Sequence, residues 1–183
     1  MITAGADGCC KIFEATSLKL LKKLSFRVSL NDKFNYSMRG MRFDKYSGYL
    51  YTIEAPLRGH TFLTKWDTRN NFNPLSTIKV SDSICTAIDY NPLYDLIGLA
   101  DCNGNISYVD PTGEMIKIKE IALSEITIKS VAFKNGNLIT GAADNALQMN
   151  YICKRNIVSI SGLFKIVLLI LFAYYFYSKY VQK

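Results

Sequence analysis

Along most of the chain, apolar residues alternate with polar ones or gather in short runs, and the three-four spacing of a helix is nearly missing. Alternation puts apolar side chains on one face of an extended segment, and short solid apolar runs suit strands covered on both faces. Tyr49-Leu50-Tyr51-Thr52-Ile53, Ser83–Tyr90, Ser130-Val131-Ala132-Phe133 and Asn137-Leu138-Ile139-Thr140 are such stretches. Turn-forming pairs punctuate them at Ser47-Gly48, Asn103-Gly104 and Asn135-Gly136. The pattern predicts an all-β arrangement of short strands over residues 1–153.

The stretches repeat. One unit reads Met41-Arg42-Phe43-Asp44, a turn, Tyr49–Ile53, a loop, then Leu63–Asp67. The next runs Ala87–Pro92, Leu96–Asp101, Ile106–Asp110, and a third runs Val131–Lys134, Leu138–Asp144, Ala146–Asn150. Ile2–Gly8 and Cys10–Glu14 form a partial unit at the start. Aligned strand ends fall at Glu14, Asp67, Asp110 and Asn150, at intervals of 53, 43 and 40 residues. An insertion around Asn31–Met38 and Ala55–His60 accounts for the long first interval. A period of about 40–45 residues with four strands is the signature of propeller blades. The expected fold is a partial propeller of about three and a half blades, with an irregular β-sandwich as the competing architecture. Gly5, Ala6, Gly141, Ala142 and Ala143 are expected to let neighbouring sheets approach, and turn aspartates to accept backbone N–H groups. Propellers close with about 4–8 blades, so the chain reads as an incomplete form lacking some three of them.

The pattern changes after Arg155. From Ile157 to Tyr177 there are 21 residues, 17 of them apolar or aromatic, and Ile166–Tyr177 is uninterrupted. A helix of that length is about 31 Å long, the thickness of a bilayer's hydrocarbon. Lys165 can snorkel back to the near headgroups, and Tyr174, Tyr175, Tyr177 and Tyr180 suit the far interface. A second register, from Leu163 to Val181, fits as well. Lys154 and Arg155 balance Lys179 and Lys183, so flanking charge leaves the orientation open. Met1–Gly5 has neither the basic flank nor the apolar run of an export signal, which places the leading domain in the cytosol. The expected organisation is a partial propeller (1–153), a membrane-proximal flank and transmembrane helix (154–178), and a short lumenal tail (179–183).

Composition narrows the chemistry. The net charge is +7, but Lys19-Lys22-Lys23, Lys117-Lys119 and Lys154-Arg155 are the densest basic groups. None forms the clustered basic and aromatic face that nucleic acid requires, which argues against it as a partner. Cys9, Cys10, Cys85, Cys102 and Cys153 are odd in number and have no metal-ligand spacing, so reduced thiols are expected and no metal. His60 is the only histidine. Gly59-His60 looks like the pair that precedes a blade's first strand, but it falls just before Leu63–Asp67, so His60 reads as an exposed loop residue. With no G-x-S-x-G and no phosphate loop, hydrolytic chemistry lacks its parts. No catalytic residue, cofactor-binding residue or metal ligand is assigned, and no cofactor is expected.

Gly5-Ala6-Asp7-Gly8 followed by Phe13-Glu14, Trp66-Asp67, and Gly141-Ala142-Ala143-Asp144 resemble WD repeats. Together with Arg39-Gly40-Met41-Arg42-Phe43, Ser130–Phe133, Leu138–Asp144 and the apolar tail, they resemble a family of membrane proteins of the endoplasmic reticulum. These are the guanine-nucleotide exchange factors for the Sar-type small GTPase, known in animals as the prolactin regulatory element-binding protein family. The resemblance covers the C-terminal half of the family pattern. It implies a single-pass protein of the endoplasmic-reticulum membrane, its propeller facing the cytosol and its partner a Sar-type GTPase. Its role would be coat assembly in transport to the Golgi, regulating a GTPase rather than catalysing covalent chemistry. The family's potassium-binding loop lies in an early blade and has no counterpart in this chain, so no site residue carries over. The alternatives are a membrane-tethered scaffold without exchange activity and a DNA-binding transcriptional regulator.

Overall fold

The computed structural model describes residues 1–26 and 35–151. These fold into four antiparallel sheets, each a simple meander. The first holds β1 (Ile2–Ala4), β2 (Cys9–Phe13) and β3 (Leu20–Ser25). The second holds β4 (Tyr36–Asp44), β5 (Tyr49–Pro56), β6 (Thr61–Asp67) and β7 (Asn73–Ser81). The third holds β8 (Cys85–Asn91), β9 (Leu96–Asp101), β10 (Asn105–Asp110) and β11 (Ile116–Ala122). The fourth holds β12 (Ile128–Lys134), β13 (Asn137–Ala142) and β14 (Leu147–Tyr151). The expected all-β class is therefore observed, and the expected partial unit at the start is the three-stranded first sheet.

Three cores lie between the four sheets. Cys10, Ile12 and Leu24 meet Leu50 and Trp66 between the first and second. Tyr51, Ile53 and Leu63 meet Ile97, Leu99 and Val109 between the second and third. Ala100, Ile106 and Tyr108 meet Ile128, Val131 and Leu138 between the third and fourth. The leading strands β4, β8 and β12 run beside one another, so the sheets fan from a shared inner edge. Stacked meanders of this kind are the propeller arrangement rather than a two-layer sandwich.

Turn chemistry fixes each reversal. Gly48, at φ +74°, donates its N–H to Asp44 O at 2.9 Å. Asp101 Oδ1 accepts the Asn103 and Asn105 N–H groups at 2.9 and 2.8 Å, and Asp144 Oδ1 accepts that of Ala146 at 3.0 Å. The small residues need a correction. A Cβ on Gly5 or Gly141 would meet Asp7 or Ser130, both within the same sheet. Other glycines admit a neighbouring sheet: a Cβ on mid-strand Gly40 would stand 2.9 Å from Ile88 Cγ2 and one on Gly98 3.0 Å from Phe133 Cζ, while the turn glycines Gly8 and Gly136 lie against Tyr36 and Tyr94.

The repeat alignment also shifts by one residue in the last unit. Leu50 pairs with Trp66 and Ile97 with Val109, while Leu138, facing the same way, pairs with Asn150. Asn150 thus corresponds to Val109, and Tyr151 rather than Asn150 corresponds to Asp110. The expected insertion is partly strand, because β4 begins at Tyr36 and β5 runs to Pro56.

Among the described residues no helix is long and apolar enough to cross a membrane. The expected membrane segment and its flanking charges lie outside the described residues, as does Cys153.

Candidate interaction surface

Three kinds of junction hold the sheets in place, and each uses up the polar groups it employs. At the inner edge, Arg42 Nε lies 2.7 Å from Asp89 Oδ1, while Asp89 Oδ2 accepts the Phe133 N–H at 2.7 Å. One carboxylate thus ties β4, β8 and β12 together. Arg42 Nη1 also donates to the Met41 carbonyl at 3.0 Å.

Between the first and second sheets, Trp66 Nε1 donates to Thr52 Oγ1 at 2.7 Å. Thr52 bonds Glu54, Thr64 Oγ1 reaches Glu54 Oε2 at 3.0 Å, and Thr77 Oγ1 reaches Thr64 Oγ1 at 3.2 Å. Glu54 is fully buried, and no cation stands beside it among its recorded partners. Burial pushes its carboxyl up to about 8, against the opposing pull of the two threonine hydroxyls. The carboxyl therefore carries its proton at neutral pH. Trp66-Asp67 was legible as a repeat motif, but Glu54 was not. It ends an apolar run and looks like the first residue of a loop, whereas β5 continues through it to Pro56.

Between the second and third sheets, buried Lys65 donates from Nζ to the Pro111 carbonyl at 2.8 Å and lies 4.2 Å above the Tyr49 ring. Desolvation lowers its pKa, with Asp95 and Asp110 opposing. Tyr90 Oη donates to Asp95 Oδ1 at 2.9 Å and approaches Asp44 Oδ2 at 3.2 Å. Burial, then Asp95, pushes that phenol upward. Asp44 and Asp101 are held below the usual carboxylate range by the turn hydroxyl and N–H groups they accept, although burial opposes this.

One rim is formed by the β4–β5, β6–β7 and β8–β9 turns. Tyr46 and Leu93 project there. Lys45 stands 4.9 Å from the Tyr46 ring, and Arg69 stands 5.4 Å from the Tyr49 ring. Gly136, in the β12–β13 turn, packs on Tyr94. This basic and aromatic rim has the chemistry of a protein-docking surface, in which aromatic and arginine side chains carry most of the binding energy. Beside the open edge of β1, Ile2, Met41, Phe43 and Leu50 line an apolar hollow of about 360 Å³.

His60 is exposed, as expected for a loop residue, and its Nδ1 lies 2.9 Å from Asp82 Oδ1. Lys79 also bonds Asp82, and it is the main cause of that carboxyl's lowered pKa. Cys9, Cys10, Cys85 and Cys102 are free. Burial pushes the Cys10 and Cys85 thiols up to about 11 and 12, so both remain protonated and unreactive. Among the described residues no group of histidine, cysteine, aspartate and glutamate could hold a metal ion.

No protein-family model and no curated protein sequence matches the chain. Solved structures do. The chain is similar to the computationally designed Ika4 protein, at 16% identity and a TM-score of 0.63, covering 83% of this chain and 84% of that one. It is similar to the designed Ika8 protein at the same identity and TM-score, covering 82% of this chain but only 42% of that one. A chain of the mitotic checkpoint complex matches at 16% identity and a TM-score of 0.69, covering 82% of this chain and 45% of that one. At this identity the likeness is one of fold, and it places the chain among propeller-like all-β structures.

Proposed function

We propose that this chain belongs to a membrane-anchored guanine-nucleotide exchange factor for a Sar-type small GTPase, acting in coat assembly between the endoplasmic reticulum and the Golgi. The observation that carries this reading is an order of parts: a row of propeller-type sheets, followed in the chain by the 21-residue apolar stretch Ile157–Tyr177. The stretch serves as a single-pass anchor, and the sheets face the cytosol. Anchoring confines partner binding to one bilayer and raises its effective concentration. The rim bearing Lys45, Tyr46, Arg69 and Leu93 is the docking surface for the GTPase.

The test is flotation of the full chain, inserted into vesicles, with a purified Sar-type GTPase. An exchange factor binds the nucleotide-free state more tightly than the nucleotide-bound one, because the two binding equilibria are reciprocally coupled. Nucleotide-depleted GTPase is therefore expected to float with the vesicles and GTP-loaded GTPase to stay behind. Equal recovery of both forms identifies a scaffold, and recovery of neither removes the rim as the docking surface. Alkaline extraction reads the anchor separately, since a chain that enters the carbonate supernatant has no span.

A further inference from the structure

The face that the second sheet turns to the first carries a row of hydroxyls. Thr52 on β5 stands directly opposite Thr64 on β6, and Thr64 directly opposite Thr77 on β7. Thr52 is 0% exposed and Thr64 1%, whereas Thr77, on the outer strand, is open to solvent. The row therefore runs from the core to the surface. The equivalent positions of the third sheet hold Leu99, Ser107 and Glu120, so no such row crosses that sheet. Opposed threonines stabilise a sheet by themselves. Here a buried carboxyl joins them: Glu54 lies two residues from Thr52 on the same face and bonds both Thr52 and Thr64.

The direction of each hydrogen bond follows from the one group that can only donate. Trp66 Nε1 has a proton and no acceptor lone pair, so it donates to Thr52 Oγ1 at 2.7 Å. Thr52 then turns its own proton to Glu54 Oε1. A neutral Glu54 therefore holds its proton on Oε2, where Thr64 Oγ1 accepts it at 3.0 Å. Thr64 in turn donates to Thr77 Oγ1 at 3.2 Å, and Thr77 to water. When Glu54 is ionised, the Thr64 and Thr77 hydroxyls reverse and both point towards the carboxylate. The two protonation states differ by one proton and two hydroxyl rotations, with no side chain displaced.

We propose that Glu54 is a buried proton-binding site and that Thr64 and Thr77 are its path to solvent. On ionisation the O–H bond at Glu54 Oε2 breaks and its electron pair stays on the carboxylate. In the same concerted step Thr64 takes that proton and passes its own to Thr77, which passes its own to a water or buffer base outside. Uptake runs the transfer backwards. Other titratable side chains face the carboxyl without joining the row. Cys10 packs from β2, and burial holds its thiol up at about 11. Tyr36 lies in the same core on β4, its ring against Phe26 and Phe62. Lys79 on β7 stands opposite Phe62, which itself stands opposite Glu54, and its ammonium bonds Asp82. The consequence of the path is speed: the junction between the first and second sheets responds to alkaline pH without opening to admit water. The proposal rests on the fold and is independent of any GTPase.

The full chain in mild detergent is mixed rapidly from about pH 6.5 to about pH 9.5, across the value of about 8 at which the carboxyl ionises, and Trp66 emission is followed. Trp66 is the only tryptophan and shares Thr52 with Glu54, so its emission senses the new charge. The native chain should show a fluorescence step that Glu54→Gln lacks. Thr77→Val removes the outermost hydroxyl, keeps the branched shape and does not touch Glu54. It should slow the step roughly ten- to a hundredfold, the factor set by one lost hydrogen bond to a charged group. The step's midpoint and the circular dichroism spectrum should not change. Thr77→Ser should keep the native rate. No Glu54-dependent step in the native chain overturns the proposal, and so does a native rate in Thr77→Val. Equal slowing in Thr77→Val and Thr77→Ser also overturns it, because packing and not the hydroxyl then sets the rate. A shifted midpoint at unchanged rate does the same, because Thr77 would then stabilise the charge without carrying the proton.

Discussion

The junction between the first and second sheets and the junction between the second and third have the same strand geometry and opposite chemistry. The second is apolar at its centre, with Tyr51, Ile53 and Leu63 against Ile97, Leu99 and Val109; Tyr90 packs against that core and turns its hydroxyl to Asp95, while Lys65 reaches the Pro111 carbonyl. The first has a polar centre, in which Trp66, Thr52, Glu54, Thr64 and Thr77 form one chain of hydrogen bonds beside Cys10 and Leu24. Buried area holds the apolar junction, and its strength is nearly indifferent to pH. The polar junction is weakened as Glu54 loses its proton, because burial disfavours the carboxylate. Blade stacking therefore fixes where the sheets sit but leaves the chemistry of each contact free.

The largest expected effect breaks the apolar junction. Leu99 is fully buried at its centre. Leu99→Ala should cost about 2–5 kcal/mol, from lost transfer energy and an unfilled cavity. Chemical denaturation reads it directly, because Trp66 is the chain's single tryptophan and its fluorescence reports unfolding. A cost below about 1 kcal/mol would mean that the junction collapses around the gap and is not close-packed.

The next effect separates the two junctions by pH. Burial raises the folded pKa of Glu54 from its ordinary 4.5 to about 8. Between those values the folded state binds the proton that the unfolded state has released. The stabilisation is full below about pH 4.5 and is lost as pH rises through the folded pKa, by a few kcal/mol in all. Denaturation midpoints should fall from pH 5.5 to pH 8.5 in the native chain. Glu54→Gln should flatten that fall and be the more stable form at pH 8.5. An equally steep fall in Glu54→Gln would assign the dependence to another group.

How much of this could be read in advance depends on which residues announce themselves. The strands and the period were legible because alternation and Asn-Gly or Ser-Gly turns are local. Asp101 and Asp144 serve the turn role expected of aspartates in tight turns. The phase of the last unit was not legible. Asn150 imitates the polar residue that ends the other third strands, and only pairing with Leu138 shows that Tyr151 occupies that position. Gly40 and Gly98 sit in mid-strand, without the turn context that drew attention to Gly5 and Gly141. Glu54 and Lys65 carry no local sign that a second sheet covers each. Local signals encoded the strands, and the faces emerged only when the sheets were stacked.

The smallest effect tests whether the inner edge contributes independently of the two junctions. Arg42 pairs with Asp89, but its side chain is 47% exposed and that of Asp89 is 19% exposed. An exposed pair gains little from Coulomb attraction, since water screens it and ordering a long side chain costs entropy. Arg42→Ala should cost only about 0.2–1 kcal/mol, shrinking further in molar salt. Asp89→Ala should cost more than Arg42→Ala, because it also strips the Phe133 N–H of its acceptor on the neighbouring sheet. If the two substitutions cost the same, the carboxylate acts only through the arginine. In that case β4, β8 and β12 are held by the side-chain cores alone, and the inner edge contributes nothing that the polar and apolar junctions do not already supply.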